Sequence, residues 1–341
     1  MSLPLNKSYP PMEAAPAAAI PTGSEWQYEP KWDGFRCLIF RDGKSVSLLS
    51  KSGKPLTPYF PELIAALSAL KPRRFVLDGE IVLPIHGVLS FDDLLMRIHP
   101  SPSRIAKLSA QTPCIFLVFD LLVDGNGRSL VKLPLQDRRA RLEDFANRYL
   151  KTNRVLRLSP VTSKIAAARK WFLKGIALDG VIAKRRDLPY QSGKRTGMLK
   201  IKWQRTADCV VGGFRYLEKR PVVGSLLLGL YNSEGLLDHV GFTSSIPNKE
   251  RSALTAKLEK LVKPPGFTGK APGGPSRWST KRSSEWQPLA PRLVVEVQFD
   301  HFTGGRFRHG TKLLRWRPDK APKACTMVQV ERESQSALDL L

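Results

Sequence analysis

Cysteine is scarce in this chain, and its four residues lie far apart. Cys37, Cys114, Cys209 and Cys325 form no C-x-x-C pair, so neither a zinc cluster nor a disulfide framework is implied. The five histidines are equally scattered and build no H-E-x-x-H spacing. A catalytic metal would therefore be a hard cation held by carboxylates and phosphates. Long apolar runs are missing too: no stretch approaches the roughly 20 residues that span a bilayer. Residues 14–20 are alanine-rich but short and interrupted by Pro16, and read as a flexible arm rather than a signal peptide. No membrane partner is expected, and a cytoplasmic location is the default. Acidic residues are in deficit, 30 Asp+Glu against 55 Lys+Arg, which leaves a formal charge of +25. Such an excess points to a polyanion, with nucleic acid the first candidate; an inert basic surface is the alternative.

What is present suits a globular protein. A length of 341 residues allows two domains, each with its own core, and 42% of residues are hydrophobic. Short apolar strands at 37–40 and 46–49 flank a turn at Arg41-Asp42-Gly43-Lys44 and read as a hairpin. Helical spacing occurs at 61–70, 135–149 and 165–174, the last with Gly175 as its C-terminal cap. Residues 75–83 predict a strand pair or a bulged strand, and 115–122 a buried central strand carrying one acid, Asp120. The second half changes character: strands at 209–214, 225–231, 237–242 and 293–299 surround one helix at 249–262. A proline- and glycine-rich loop follows at 264–275. A small barrel of about five strands is the economical arrangement. The fold class is thus α+β, with a boundary near 206–208 and no internal repeat.

Chemistry concentrates at Glu29-Pro30-Lys31-Trp32-Asp33-Gly34-Phe35-Arg36. A lysine amine can be a covalent nucleophile only when deprotonated. With an unperturbed pKa of roughly 10.4, on the order of one lysine in a thousand is neutral near pH 7. Lys31 therefore needs burial or cationic neighbours. Lys200 and Lys202 alternate onto one strand face, where they suit a phosphate and would depress the Lys31 pKa; an exposed basic strand is the plain alternative. Asp179, before Gly180 and a strand ending in Lys184, could hold Mg²⁺ or simply make a turn. Glu80 lies inside a strand pattern and wants a partner such as a sugar hydroxyl or a metal. Phe119 suits core packing or stacking on a base. Arg315 and Arg317, before Asp319 and Lys320, suit bidentate phosphate binding or a general nucleic-acid patch.

The ordered series KWDGFR, LDGE, VFDLL, LDGVIAK, LKIKW and RWRPDK resembles the motif set of covalent nucleotidyltransferases, specifically ATP-dependent DNA ligases. The likeness runs from about residue 25 to 320. It is greatest to the small stand-alone bacterial C-type ligases and the ligase module of bacterial end-joining proteins. The resemblance implies an adenylation domain with mixed or antiparallel sheets at 25–206 and an OB-fold domain at 207–330. Residues 1–24 are then an N-terminal arm and 331–341 a tail. It also implies that Lys31 attacks the α-phosphate of ATP and carries AMP. Glu29 then reads adenine, Arg36 and Glu80 hold the ribose, and Phe119 stacks on the base. Lys200 and Lys202 contact the α-phosphate, and Arg315, Arg317, Asp319 and Lys320 orient the leaving pyrophosphate. Lys184 joins the nucleotide-binding set.

Two positions depart from the usual pattern. Asp179 stands where the family usually has glutamate, and Lys51 where many ligases carry an arginine, so the DNA-phosphate or nucleotide contact there loses its fork geometry. Asp179 and Glu80 are the expected ligands of Mg²⁺ or Mn²⁺. The expected partners are nicked or broken duplex DNA and repair or end-joining proteins, and the expected state is a monomer in a bacterial cytoplasm beside the nucleoid. A hinge near 205–208 would let the second domain serve successive steps. An RNA ligase or guanylyltransferase of the same superfamily, and a non-catalytic OB-fold nucleic-acid-binding protein, are the competing readings.

Overall fold

Alternation of apolar and polar residues along short strands organises the first 203 residues. The computed structural model describes residues 3–171, 178–203, 205–273, 285–331 and 337–341. Its contacts divide into one unit of Met1–Trp203 with Glu333–Leu341 and another of Gln204–Arg332.

The first unit contains β1 (Ala15–Pro16), β2 (Trp26–Lys31), β3 (Phe35–Asp42), β4 (Ser45–Ser50), β5 (Arg74–Val82), a short hairpin of β6 (Pro84–Ile85) and β7 (Val88–Leu89), β8 (Ile115–Val123), β9 (Leu156–Leu158), β10 (Gly180–Arg185) and β11 (Met198–Lys202). Its helices are α1 (Pro61–Ala69), α2 (Phe91–Leu95), α3 (Pro102–Gln111), α4 (Leu135–Tyr149) and α5 (Ile165–Lys170). A five-stranded sheet runs β4-β3-β5-β8-β9 and a four-stranded sheet runs β1-β11-β10-β2. Every residue of β8 is buried, as an apolar run broken only by Asp120 requires of a strand covered on both faces. Period two sorts its neighbours. Cys37 and Ile39 pack with α1 and α4 through Leu63, Leu67, Leu142 and Phe145. Leu38 and Phe40 point the other way, into a cluster with Ile182 and Met198 of the four-stranded sheet. The two sheets thus face each other.

The stretch expected to be a flexible arm is packed instead. Leu5 and Met12 are buried in the cluster between the sheets, and β1 pairs in parallel with β11, Ala15 opposite Leu199 and Pro16 opposite Lys200. Apolar side chains that complete a core, together with backbone groups that find strand partners, hold the segment down. The helix expected at 165–174 is observed as α5, ending at Lys170; residues 172–177, including the proposed Gly175 cap, lie outside the described residues.

The second unit contains β12 (Arg205–Leu217), β13 (Arg220–Tyr231), β14 (Leu237–Thr243), α6 (Arg251–Glu259), β15 (Gln287–Pro288), β16 (Val294–Phe299), β17 (Phe302–Thr303), β18 (Arg306–Phe307) and β19 (Lys312–Trp316). Its main sheet runs β14-β13-β12-β16-β19, with β15 against β12. The expected barrel is open: among the described residues no ladder joins β14 to β19, although one parallel bridge, Thr243 to Thr311, brings their ends together. The expected hinge residues 205–208 are laddered to β16, Arg205 opposite Phe299 through Asp208 opposite Glu296. Paired backbone of this kind resists the φ/ψ change a hinge must absorb. No helix among the described residues is long and apolar enough to cross a membrane.

Candidate active site

Register brings the expected residues together. In the four-stranded sheet Gly180 lies between Lys31 and Lys202, Ile182 between Glu29 and Lys200, and Lys184 between Gln27 and Met198. Directly paired residues share a face, so Glu29, Lys31, Lys184, Lys200 and Lys202 form one polar surface turned toward the five-stranded sheet. The opposite face carries Tyr28, Val181, Ala183 and Ile201 in a separate apolar cluster. Gly180 is required at its position: φ is +142° and an added Cβ would lie 2.0 Å from the Ile201 carbonyl oxygen.

On the facing sheet Arg36 pairs with Glu80. Asp78 lies opposite Asp120 and Gly79 opposite Val118, so Phe119 is the extra residue of a β-bulge. Bulges re-aim side chains, and Phe119 lines the cavity although it interrupts the simple alternation of a buried strand. That cavity, of about 200 Å³, is lined by Glu29, Lys31, Arg36, Lys51, Glu80, Phe119, Lys184 and Lys200 together with Met12, Glu13 and Ala14. Lys184 Nζ lies 4.4 Å and Arg36 Cζ 4.5 Å from the centre of the Phe119 ring.

Electrostatics inside this space are closely paired. Lys184 Nζ contacts Glu29 Oε2 at 2.7 Å, and Gln27 Nε2 donates to Glu29 Oε1 at 3.0 Å. Arg36 donates to both oxygens of Asp78, at 2.5 and 2.6 Å. Tyr190 Oη donates to Asp78 Oδ2 at 2.6 Å while accepting from the Met12 N–H at 2.9 Å. Burial, followed by the nearby Asp78 charge, pushes the Tyr190 hydroxyl well above its ordinary pKa, so it remains a donor. Burial also raises the Glu80 carboxyl to about 7, against the pull of Arg36 and Lys31.

Lys31 hydrogen-bonds and ion-pairs with Asp179, and Lys202 Nζ lies 4.0 Å from the same carboxylate oxygen. The expected depression of the Lys31 pKa by Lys200 and Lys202 does not prevail. Burial favours the neutral amine, but the charge and hydrogen bond of Asp179, then Glu80 and Asp33, outweigh it and raise the pKa. Lys200 does shift downward, through burial and then the charges of Lys31, Lys202, Lys51 and Arg195. Lys51 contacts Glu13 at 3.2 Å.

Arg315, Arg317 and Lys320 belong to the second unit, where carboxylates hold them. Arg317 contacts Asp208 at 2.9 Å and Asp319 at 2.8 Å, Arg315 contacts Glu296 at 2.6 Å, and Lys320 lies 3.6 Å from Asp208. Arg317 and Asp319 stabilise each other's charged forms: hydrogen bonding to Arg317 lowers the Asp319 carboxyl to about 2.

Residues 11–202 match the ATP dependent DNA ligase domain, and residues 219–320 match the ATP dependent DNA ligase C terminal region. The chain belongs to the ATP-dependent DNA ligases. The ligase is 42% identical to DNA ligase C2 of Mycolicibacterium smegmatis, over 99% of this chain and 98% of that protein. It is 41% identical to DNA ligase C of Mycobacterium tuberculosis, over 97% and 96% of the two chains. A solved structure from work on Lig E DNA ligases aligns with a TM-score of 0.54 at 16% identity, covering 90% of this chain and all of that one; it speaks to the fold alone. The ligase has a nucleotidyltransferase domain followed by an OB-fold domain, the architecture its motif order implied. Glu13 and Gln27 carried no distinguishing local signal in the sequence, and Asp78, although inside the LDGE motif, and Tyr190, in Leu188-Pro189-Tyr190, were given no role there. Asp78 preceded Gly79 as any turn residue could, and Tyr190 acquires its role only through partners 112 and 178 residues away.

Proposed function

We propose that this ligase seals 3′-hydroxyl/5′-phosphate breaks in duplex DNA through AMP carried on Lys31. The observation that supports it is the convergence of Lys31, Glu29, Arg36, Glu80, Phe119, Lys184 and Lys200 on one cavity. Lys31 Nζ attacks the α-phosphorus of ATP; the N–P bond forms, the bond to the bridging oxygen breaks, and pyrophosphate leaves. Lys31 must shed its proton first. Burial and the Lys200 and Lys202 charges act in that direction, and Asp179 acts against it. Adenine stacks against Phe119 beside Glu29, with Arg36 and Glu80 at the ribose. Since Lys184 and Gln27 already engage Glu29, they also set the position of its carboxylate.

Asp179 and Glu80 offer the hard oxygen donors that fit Mg²⁺ or Mn²⁺, which would neutralise phosphate charge during transfer. Lys200 supplies fixed positive charge at the α-phosphate, which phosphoryl transfer needs more than proton relay. The adenylate next passes to a DNA 5′-phosphate, and the 3′-hydroxyl displaces AMP to close the strand. Arg315, Arg317 and Lys320 of the second unit serve the pyrophosphate. Residues 25–206 act as the adenylation domain and 207–330 as the OB-fold domain, in a monomer that works on broken DNA in repair. Incubation with α-labelled ATP and Mg²⁺ should place label on the wild-type chain and none on Lys31→Ala. The labelled enzyme should then seal a nicked duplex and release AMP. Label retained by Lys31→Ala, or transfer of GMP in place of AMP, would refute the assignment.

A further inference from the structure

Residues 12–14 form part of the cavity wall, although none of them belongs to a motif. Their backbone is pinned. The Glu13 N–H donates to the Lys194 carbonyl at 2.9 Å, the Gly193 N–H to the Pro11 carbonyl at 3.2 Å, and the Ala17 N–H to the Lys200 carbonyl at 3.0 Å. This fixed segment presents the Glu13 carboxylate to two cations at once: Oε2 lies 3.2 Å from Lys51 Nζ and 3.1 Å from Arg195 Nε. Lys51 and Lys200 line the cavity with it, and Lys51, Arg195, Lys31 and Lys202 all bear on the charge of Lys200. Among the described residues Lys200 itself has no carboxylate within ion-pair distance.

We propose that Glu13 is a built-in counter-anion for a phosphate site made by Lys51, Arg195 and Lys200, and that a substrate phosphate displaces its carboxylate on binding. The proposal rests on the adenylation reading for the identity of that substrate. Exposure makes displacement cheap: the Lys51 and Arg195 side chains are 56% and 69% exposed, and ion pairs of this kind are weak. A polyphosphate brings several oxygens to cations that one carboxylate only partly satisfies. A weak monoanion does not outcompete a carboxylate already tethered at the site. Glu13 thus discriminates among anions, and by returning to Lys51 and Arg195 it assists release of the phosphate.

Calorimetric titration of the full chain with sodium tripolyphosphate, and separately with a nicked duplex bearing a 5′-phosphate, tests this without turnover. Glu13→Gln should bind at least one of the two roughly 2- to 10-fold more tightly than wild type, the range expected for loss of two exposed competing pairs. Glu13→Gln/Lys51→Gln should gain less over Lys51→Gln than Glu13→Gln gains over wild type, because Arg195 is then the one cation left for Glu13 to release. Asp187→Asn, which removes an exposed carboxylate paired with Arg185, should show no comparable gain. A gain with tripolyphosphate assigns the site to the nucleotide phosphates, and a gain with the duplex alone assigns it to DNA. Equal or weaker binding by Glu13→Gln in both titrations, or an equal gain in Asp187→Asn, overturns the proposal. A wild-type chain that takes no label from ATP would refute the adenylation reading separately, because these titrations involve no adenylation.

Discussion

Tyr190→Phe removes a single oxygen and leaves the ring packing intact, so it isolates the polar network behind Arg36. Asp78 is 0% exposed and accepts from Arg36 at 2.5 and 2.6 Å and from Tyr190 at 2.6 Å. Losing a hydrogen bond to a buried charged group costs about 1.5–3 kcal/mol, and an orphaned buried N–H about 1–3 kcal/mol. The Met12 N–H would be that orphan, since Tyr190 Oη is its acceptor. The two losses share one oxygen and are not additive, so the expected cost to the first unit is roughly 2–4 kcal/mol. Hydrogen exchange followed by mass spectrometry resolves this unit from the other. Peptides covering residues 9–17 should exchange faster in Tyr190→Phe, with the Met12 amide changed most. Arg36 keeps one carboxylate partner but loses the group that orients it, so KM for ATP should rise more than kcat falls. Unchanged exchange at Met12 would refute the network. Faster exchange with an unchanged KM would refute its connection to Arg36 and the nucleotide.

Glu29 and Lys184 are buried partners, with side chains 3% and 7% exposed. Lys184→Met alone should cost about 3–5 kcal/mol by stranding a buried charge. Glu29→Leu/Lys184→Met should recover much of that in denaturant unfolding, and a double variant as unstable as the single would contradict the pairing. In the second unit, burial and then the charges of Arg215 and Arg306 hold the His239 pKa down to about 4. The unfolded chain therefore takes up this proton first, so stability is full above the ordinary pKa of about 6.5 and falls as pH drops toward 4, by up to about 3 kcal/mol. An NMR titration of His239 with a midpoint near 6.5 would refute this, and His239→Gln should flatten the acid-side loss. Gly180→Ala forces a Cβ against the Ile201 carbonyl at a positive φ and should cost at least about 2 kcal/mol. A wild-type unfolding transition in that variant would show that β10 and β11 can part without penalty.

Local pattern made much of the fold legible. The helix at Leu135–Tyr149 and the buried strand at Ile115–Val123 follow directly from apolar spacing and from an apolar run with a single acid, Asp120. The hairpin of β3 and β4 follows from Gly43, whose φ is +61°. The second unit was harder to read, because whether a curled sheet closes depends on how its end strands meet. Here one bridge between Thr243 and Thr311 is the meeting point.

By itself the sequence determined which side chains share a face, because strand alternation is local: Lys200 with Lys202, Glu29 with Lys31. It also carried the order of motifs that marks the ligase family. Only the tertiary structure decided what those faces meet. It put Phe119 into a bulge, since the extra residue exists only relative to β5. It turned residues 12–14 from an expected arm into a cavity wall, since the partners of that segment lie near residues 190–200. It also reversed the expected charge balance at Lys31. Coulomb energy falls with distance, and Asp179, 148 residues away in the chain, is hydrogen-bonded to the amine. Alternation is written in neighbouring residues, whereas register, bulges and charge pairing are set by residues that only folding brings together.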